Sequence, residues 1–515
     1  MLAQQHLYFS QSFFTAVIPV LGTLIVGRFG INHYKATKSP LNAIPTIGHS
    51  GILLSYLTAM KWMARGADLL QEGYIKFHGR PFKVATPTRW IVVLSGKKYV
   101  DDLCRASEDI LSFNEPAIET TQGDYTFGPR LHVHPHHINT IRSSVTRNIS
   151  GKFEDISDEA LAALDDYIPS SQEWRSIPAY ETLLHIVCRT TNRYLVGLPL
   201  CRNSDYLFIS EQFTVDVSVT SQKINSFPDI LKPIAGKIFG AQVKERIKAA
   251  YDILAPFIED RLERFTRFGL DRDGLENDVF TWLLESATQD YHYSVEDIVR
   301  RILVINFTSI HTTAVGLIQG IYDLAVHPEY VQEMRDEAER VIDEGGWSKA
   351  SLHKMHKIDS FLKESFRLNG GANLLMIRKT IKDWMLSDGT LIPPDTYVGV
   401  AVDAMNKSEA SFQDAQTFNG FRFVAMNDGR ESLDSAKQHL VCLSPEYIVF
   451  GNGRHACPGR FLGVNNIKVM FIHILLNYDV QLENGSLEHP PNTYFAASTI
   501  PNQEAKLMFR KRISS

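Results

Sequence analysis

The sequence is poor in cysteine and lacks any pattern that would give its cysteines a structural task. The five, Cys104, Cys188, Cys201, Cys442 and Cys457, stand apart with no C-x-x-C pair. That excludes a disulfide framework and a cysteine-rich zinc site, and it fits a reducing compartment. At least one thiol is then free to ligate a metal. Excess positive charge is missing too: 53 Lys+Arg against 58 Asp+Glu leave a net charge of −5, so no nucleic-acid partner is expected. There is no Pro/Gly/Ser-rich linker, low-complexity segment or internal repeat. Length alone suggests roughly three domains of about 150 residues. Without linkers, a chain that is 44% hydrophobic is better read as one large, mostly helical body.

Charge is absent altogether from Met1 to Gly27, and Phe13 to Val26 (FFTAVIPVLGTLIV) is nearly all apolar. From Leu7 the uncharged stretch reaches about 20 residues, enough to span a bilayer as a helix. Arg28, Lys35 and Lys38 follow, so the positive-inside rule leaves the rest of the chain in the cytoplasm. A cleaved signal peptide would carry its positive charge before the apolar run, not after it. The division expected is an anchor over 1–28, a basic, proline-containing hinge over 29–50 (Pro40, Pro45) and a globular body over 51–515.

Along the body, residues 84–96 alternate and read as short strands. Helical patterns dominate from about 97 to 370. The clearest runs from Ser294 to Leu324, opened by a Ser294/Asp297 capping pattern and closed by His327-Pro328. From Ile302 to Ile318 its only chargeable residue is His311, so its middle must be buried. A helix is expected over Glu329 to Ile342 and another over Ile358 to Leu368. A polar meander (Met426 to Ser444), a strand YIVF, a glycine-rich turn and a helix from about Gly459 to Leu476 follow. This is an α+β chain, mainly α.

The turn is Phe450-Gly451-Asn452-Gly453-Arg454-His455-Ala456-Cys457-Pro458-Gly459. A thiolate ligand to haem iron must stand clear of its backbone and stay deprotonated. One porphyrin face must also lie flat against the loop. Glycines permit that close approach, and the helix starting after Cys457 aims unpaired N–H groups at the sulfur. A lone cysteine in a strand-to-helix turn is usually an inert core residue, but these neighbours argue otherwise. The dinucleotide fingerprint imitated by Gly451-x-Gly453-x-x-Ala456, with Asp479 beyond, fails because too little chain follows Asp479 to complete a doubly wound sheet.

This turn resembles the haem-binding signature of cytochromes P450, F-x-x-G-x-R-x-C-x-G. Phe450, Gly453, Cys457 and Gly459 match it. His455, with Arg454 beside it, stands where the family has arginine, so the two would share a haem propionate. Glu364-Ser365-Phe366-Arg367 resembles the family's E-x-x-R helix, and Arg422 its third member. The implied Glu364–Arg367–Arg422 cluster would brace the core beneath the cysteine loop. By itself an i,i+3 Glu–Arg pair is usually a solvated surface pair. Thr308 to Thr313 (TSIHTT) occupies the place of A-G-x-[DE]-T-T, implying Thr312 at the dioxygen site and His311 as a proton shuttle. Read from the residues alone, these hydroxyls merely bond back to i−4 carbonyls. Arg378 and Arg142 (with Arg147) fall where the family meets the haem edge. The run His132, His134, His136, His137 tempts a metal reading, but broken by Pro135 it reads as a loop entering a helix.

The resemblance implies haem b (iron protoporphyrin IX), electrons from NADPH through NADPH-cytochrome P450 reductase with cytochrome b5 as a second donor, and an endoplasmic reticulum membrane location. Oxygen would be inserted into a hydrophobic small molecule, with thiolate donation favouring O–O cleavage. Asn306, Phe307, Leu374-Leu375-Met376 and Phe495 to Ile500 are the expected substrate-facing positions. The ending IPNQEAKLMFRKR and the IHTT helix are similar to fungal microsomal members that oxidise terpenoids, such as ent-kaurene oxidase, in secondary metabolism. Fatty acids, steroids, alkaloids and polyketides stay open as substrates. So do haem-thiolate isomerase and peroxygenase chemistry and non-catalytic haem binding, although the isomerases and peroxygenases often lose the threonine kept here at 312.

Overall fold

A computed structural model describes residues 40–513 except 52–53, 269–274, 287–292, 426–438 and 484. The expected anchor over 1–28, the first half of the hinge (29–39) and most of the meander lie outside the described residues. The hinge's end is tied to the body: Ile44 and Ile47 are buried, Thr46 bridges Lys83, and Ile47 N–H donates to the Lys83 carbonyl at 3.0 Å.

Helices α1 (Ser55–Phe77), α2 (Lys97–Arg105) and α3 (Phe153–Tyr167) lead into a layered core. There α4 (Ala179–Leu195), α5 (Ser204–Asn225) and α6 (Ala241–Phe268) pack around α7 (Val295–Val326). Helix α7 starts as its cap predicts, with Ser294 Oγ accepting from Asp297 N–H at 3.2 Å, and ends at His327. Its 32 residues run about 48 Å. Among the described residues it is the helix long and apolar enough to cross a membrane, yet most of that stretch is buried in the protein. It is the core helix its uncharged middle requires. Helices over Val331–Gly345 and α8 (His356–Asn369) follow, and α9 (Arg460–Asn477) closes the core against α7.

Small sheets flank the helices. The five-stranded one runs β1 (Phe82–Ala85), β2 (Trp90–Leu94), β6 (Tyr397–Val400), β5 (Leu375–Thr380), β3 (Leu111–Ser112) in space. A three-stranded sheet joins β4 (Arg175–Pro178), β10 (Lys506–Lys511) and β7 (Tyr478–Leu482), and β8 (Thr493–Phe495) and β9 (Ser498–Ile500) form a hairpin. One expected strand is absent: YIVF, residues 447–450, pairs with no ladder. Tyr447 and Ile448 are instead buried by their side chains. The Tyr447 hydroxyl donates to the Lys363 carbonyl at 3.2 Å, and Gly451 N–H turns back onto Ile448 O at 2.7 Å. Core packing replaces a hydrogen-bonded partner strand.

Candidate haem site

The cysteine loop is built by glycine. Gly451 and Gly453 both hold φ of 69°, a region that side chains disfavour. Gly453 also lies so close to Cys104 that an added Cβ would meet its Sγ at 2.9 Å. Phe450 anchors the loop's start, its ring 6.0 Å from Phe366 on α8, and its carbonyl accepts from Cys457 N–H at 2.8 Å. Cys457 then stands at the head of the 18-residue helix α9. Burial pushes its thiol up, and this outweighs the opposing pull of the Gly459 and Arg460 N–H groups and the Arg460 charge. Arg460 Nη1 also donates to the Cys457 carbonyl at 2.9 Å.

Beneath the loop, Glu364 and Arg367 are fully buried and Arg422 is nearly so. Arg367 Nε donates to Glu364 Oε2 and its Nη2 to Oε1, both at 2.7 Å, and Arg422 Nε donates to Oε1 at 3.0 Å. Asn419 N–H adds a bond to Oε1 at 2.9 Å. Both guanidiniums also satisfy carbonyls of the following loop: Arg367 those of Asn406 and Ala415, Arg422 those of Gln413 and Thr417. The i,i+3 pair is therefore the centre of a buried network, not a surface pair.

At the loop's edge, Arg378, Arg454 and His455 line a small pocket with Cys104 and Asn452. His455 stacks on Phe113 with ring centres 5.0 Å apart, and its Nε2 sits 2.9 Å from Glu108 Oε2. Burial and the Arg378 charge depress its basicity, and Glu108 acts against them. Arg378 lies 5.2 Å over the same Phe113 ring. Its direction comes from a bulge in β5, where the register shifts between Leu375 and Arg378 and Met376 adopts φ of 55°. Arg142, on the helical stretch after His136, donates to the Arg454 carbonyl at 2.9 Å. The histidine run is not the loop expected from Pro135: His132 lies on a short helix (Arg130–Val133) and His136 and His137 on the next (His136–Thr140), with His134 and Pro135 between them. His137 is buried and takes Arg301 Nη1 at 3.1 Å on its Nδ1, which is core architecture. Among the described residues no cluster could hold a metal ion by histidine, cysteine and carboxylate ligands together.

The opposite wall comes from α7. Most of its residues from Ile298 to Val326 are buried, yet Thr308 and Thr312, one turn apart, are exposed in its middle. Open space therefore lies against that face. The same stretch touches the cysteine helix, for a Cβ on Gly463 of α9 would lie 3.5 Å from Thr313 Oγ1. Thr312 Oγ1 donates to the Thr308 carbonyl at 2.7 Å, Thr308 to Val304 and Ser309 to Ile305. This is the back-bonding that the residues alone suggest, and it leaves the Thr312 oxygen its acceptor capacity on the cavity side. His311 aims its Nε2 edge at α5, 2.9 Å from the Glu211 carbonyl.

Of the expected pocket positions, Phe307 packs edge-on against Phe127 at 5.2 Å, one residue before the open face. Leu375 is half-buried and Leu374 buried beside it, where Gly399 leaves room for its side chain. The β8–β9 hairpin that carries Phe495 is bonded to this segment, through Asn373 N–H to Ala497 O at 2.7 Å and Thr499 N–H to Gly371 O at 3.1 Å. Asn306 is the correction. It is fully buried on the far side of α7, with Nδ2 bonded to Asn192, Tyr206 and Ser210, and it lines no open space. Glu108, Phe113, Glu211 and His185 escaped sequence reading, because their partners lie far along the chain and no local pattern marks them.

A single cysteine on a glycine loop at a helix head, cations along the loop's edge and an exposed hydroxyl face across a cavity fit an iron porphyrin. They fit the haem-thiolate class of protein. The chain belongs to the cytochrome P450 family, whose model matches residues 51–509. It is 39% identical over 500 residues to cytochrome P450 monooxygenase 151 of Postia placenta, covering 97% of this chain and 99% of that one. It is 29% identical to cytochrome P450 monooxygenase CYP512U6 of Ganoderma lucidum, over 95% of each chain. Against cytochrome P450 monooxygenase atmQ of Aspergillus flavus it is 29% identical, over 96% and 93%. The protein is thus an oxidoreductase of the P450 monooxygenase kind, with fungal relatives and the haem that the family implies.

Proposed function

We propose that Cys457 ligates the iron of haem b, that Arg142, Arg378, Arg454 and His455 hold the propionates, and that a hydrophobic terpenoid is the molecule oxidised. The observation that carries the proposal is Cys457 at the head of α9, on a loop whose Gly451 and Gly453 both hold φ of 69°. When bound, haem supplies reductive cleavage of dioxygen and transfer of one oxygen atom to the substrate. The Glu364–Arg367–Arg422 brace keeps the loop in place. Thr312 offers an acceptor oxygen at the cavity wall, able to hold a water there. Phe307, Leu374, Leu375 and Phe495 present apolar surface, which excludes water and favours an apolar substrate. The terpenoid class rests on the chain's ending and its IHTT helix.

Electrons come from NADPH through a cytochrome P450 reductase, with cytochrome b5 as a second donor. Residues 1–28 anchor the protein in the endoplasmic reticulum membrane, and 51–515 form the catalytic body on the cytoplasmic side. A lipid surface nearby would suit the exposed Ile230, Ile234 and Ile238.

The test is spectroscopic first. Dithionite-reduced protein under carbon monoxide is expected to show the strongly red-shifted Soret band of thiolate ligation, and Cys457→Ala to lose both the band and turnover. Survival of either in the variant refutes the ligand. Metabolite comparison in a reductase-bearing host, with and without the protein, then tests the terpenoid class. Oxidised fatty acids or polyketides in place of terpenoids would refute that part alone.

A further inference from the structure

Beside Thr312, helix α7 carries an imidazole whose hydrogen bonding is dictated by a neighbouring helix. His311 Nε2 lies 2.9 Å from the main-chain oxygen of Glu211 on α5. A carbonyl oxygen only accepts, so Nε2 carries the hydrogen. Burial depresses the ring's basicity, and a neutral ring with its hydrogen on Nε2 has a bare Nδ1. A carbonyl cannot hand on a proton either. The ring therefore exchanges protons at Nδ1 alone and cannot pass one from edge to edge.

Glu211 is held in turn by a second helix. Its carboxylate, 6% exposed, lies 2.8 Å from His185 Nδ1 on α4, a contact that raises the His185 basicity. His185 is 35% exposed, 3.8 Å from Glu181 one turn away, and its ring centre is 5.7 Å from that of Tyr167. The Cys188 thiol is a further titratable neighbour of Glu211. The α4–α5–α7 seam continues as a polar stripe through Asn192, Tyr206, Ser210 and Asn306. It joins the molecular surface at His185 to the face of α7 that packs against α4 and α5.

We propose that His185 and Glu211 are positioning residues for the monooxygenase site. By tying α5 to α4 they hold the Glu211 carbonyl against His311, fix the Nε2–H tautomer, and leave Nδ1 as the acceptor for a water or a substrate hydroxyl beside Thr312. This inference rests on the haem-site reading above.

The experiment uses the full-length haem protein labelled with 15N-histidine, in wild type, His185→Leu and His185→Lys. The His311 resonances are assigned by their loss in His311→Gln. Wild type and His185→Lys, which keeps a cation on Glu211, are expected to show a protonated Nε2 and a bare Nδ1. His185→Leu is expected to show averaged tautomers. In parallel, hydrogen peroxide released per NADPH consumed is measured with the reductase (NADPH + H+ + O2 → NADP+ + H2O2). It should rise at least about threefold in His185→Leu and stay near wild type in His185→Lys, as misplacement of a site group costs coupling. A protonated Nδ1 in wild type overturns the proposal. So does His185→Leu matching wild type in both readouts, or His185→Lys behaving as His185→Leu. A missing carbon monoxide band in wild type defeats the haem reading instead, and the tautomer measurement does not depend on that band.

Discussion

Replacing Glu364 by Gln separates a buried ion pair from its surface look-alikes. Glu364 and Arg367 are both 0% exposed and Arg422 is 7% exposed. Glu364 alone accepts bonds from both guanidiniums and from Asn419 N–H. The substitution keeps shape and one carbonyl oxygen, but it turns an amide NH2 towards two cations left without a counter-charge. Breaking a buried pair from one side costs about 3–5 kcal/mol, a large part of the 5–15 kcal/mol that ordinarily separates folded from unfolded protein. With a urea slope of about 3 kcal/mol per M, the midpoint should fall by roughly 1–1.7 M. The control is Lys248→Ala. The Lys248–Asp252 pair has a 2.8 Å contact, but its side chains are 77% and 58% exposed, and such pairs contribute little to stability. Midpoints followed by tryptophan fluorescence decide the matter. A Glu364→Gln shift no larger than that of Lys248→Ala would refute the view that burial, and not i,i+3 spacing, gives this motif its weight.

Asp323, fully buried on α7 and bonded by Asn369, has its carboxyl raised by burial to about 7 from 3.8. The folded state keeps a proton that the unfolded chain releases, so this group lowers stability as pH rises from about 4 to 7. Asp323→Asn should gain on wild type by up to about 4 kcal/mol across that window, and equal differences in unfolding midpoint at pH 5 and pH 7.5 would contradict it. A Cβ on Gly316 would meet Phe366 Cζ at 2.4 Å and Ile467 Cδ1 at 2.9 Å, so Gly316→Ala should cost about 1–3 kcal/mol by overpacking. Adding Phe366→Leu should recover part of that loss, and strict additivity of the two would argue against the clash. Arg378→Leu removes a cation from the proposed propionate pocket and should speed haem transfer to an apomyoglobin acceptor about 10- to 100-fold, the size of a lost charged hydrogen bond. Unchanged transfer would exclude Arg378 from that pocket.

What the sequence disclosed and what it hid differ by the range of the interactions involved. Helix α7 was legible because its cap, its uncharged middle and its His-Pro stop are all local. The cysteine turn was legible because backbone needs at Gly451 and Gly453 are met within a few residues. Glu364 and Arg367 could be found by spacing, but spacing is silent on burial, and it took the family resemblance to give the pair its meaning. YIVF looked like a strand because a short apolar run has no period that separates ladder pairing from side-chain burial. Asn306 failed for a related reason. When a helix is buried on nearly every side, no polar face remains to show which residue looks into a cavity and which into the core.

His311 shows where local reading ends and three-helix geometry begins. A histidine in the place of the family's acid invites a proton-shuttle role, since its ordinary titration lies near neutral pH. Its partner is a main-chain carbonyl 100 residues earlier in sequence, and no composition or spacing rule identifies such a partner. Yet that one contact decides which ring nitrogen bears the hydrogen, and so which edge can act. Replacing an acid by an imidazole at this position therefore changes more than basicity. A carboxylate can accept on either oxygen, whereas this ring is committed on one side, and what remains on the other depends on Glu211 and His185 staying where they are.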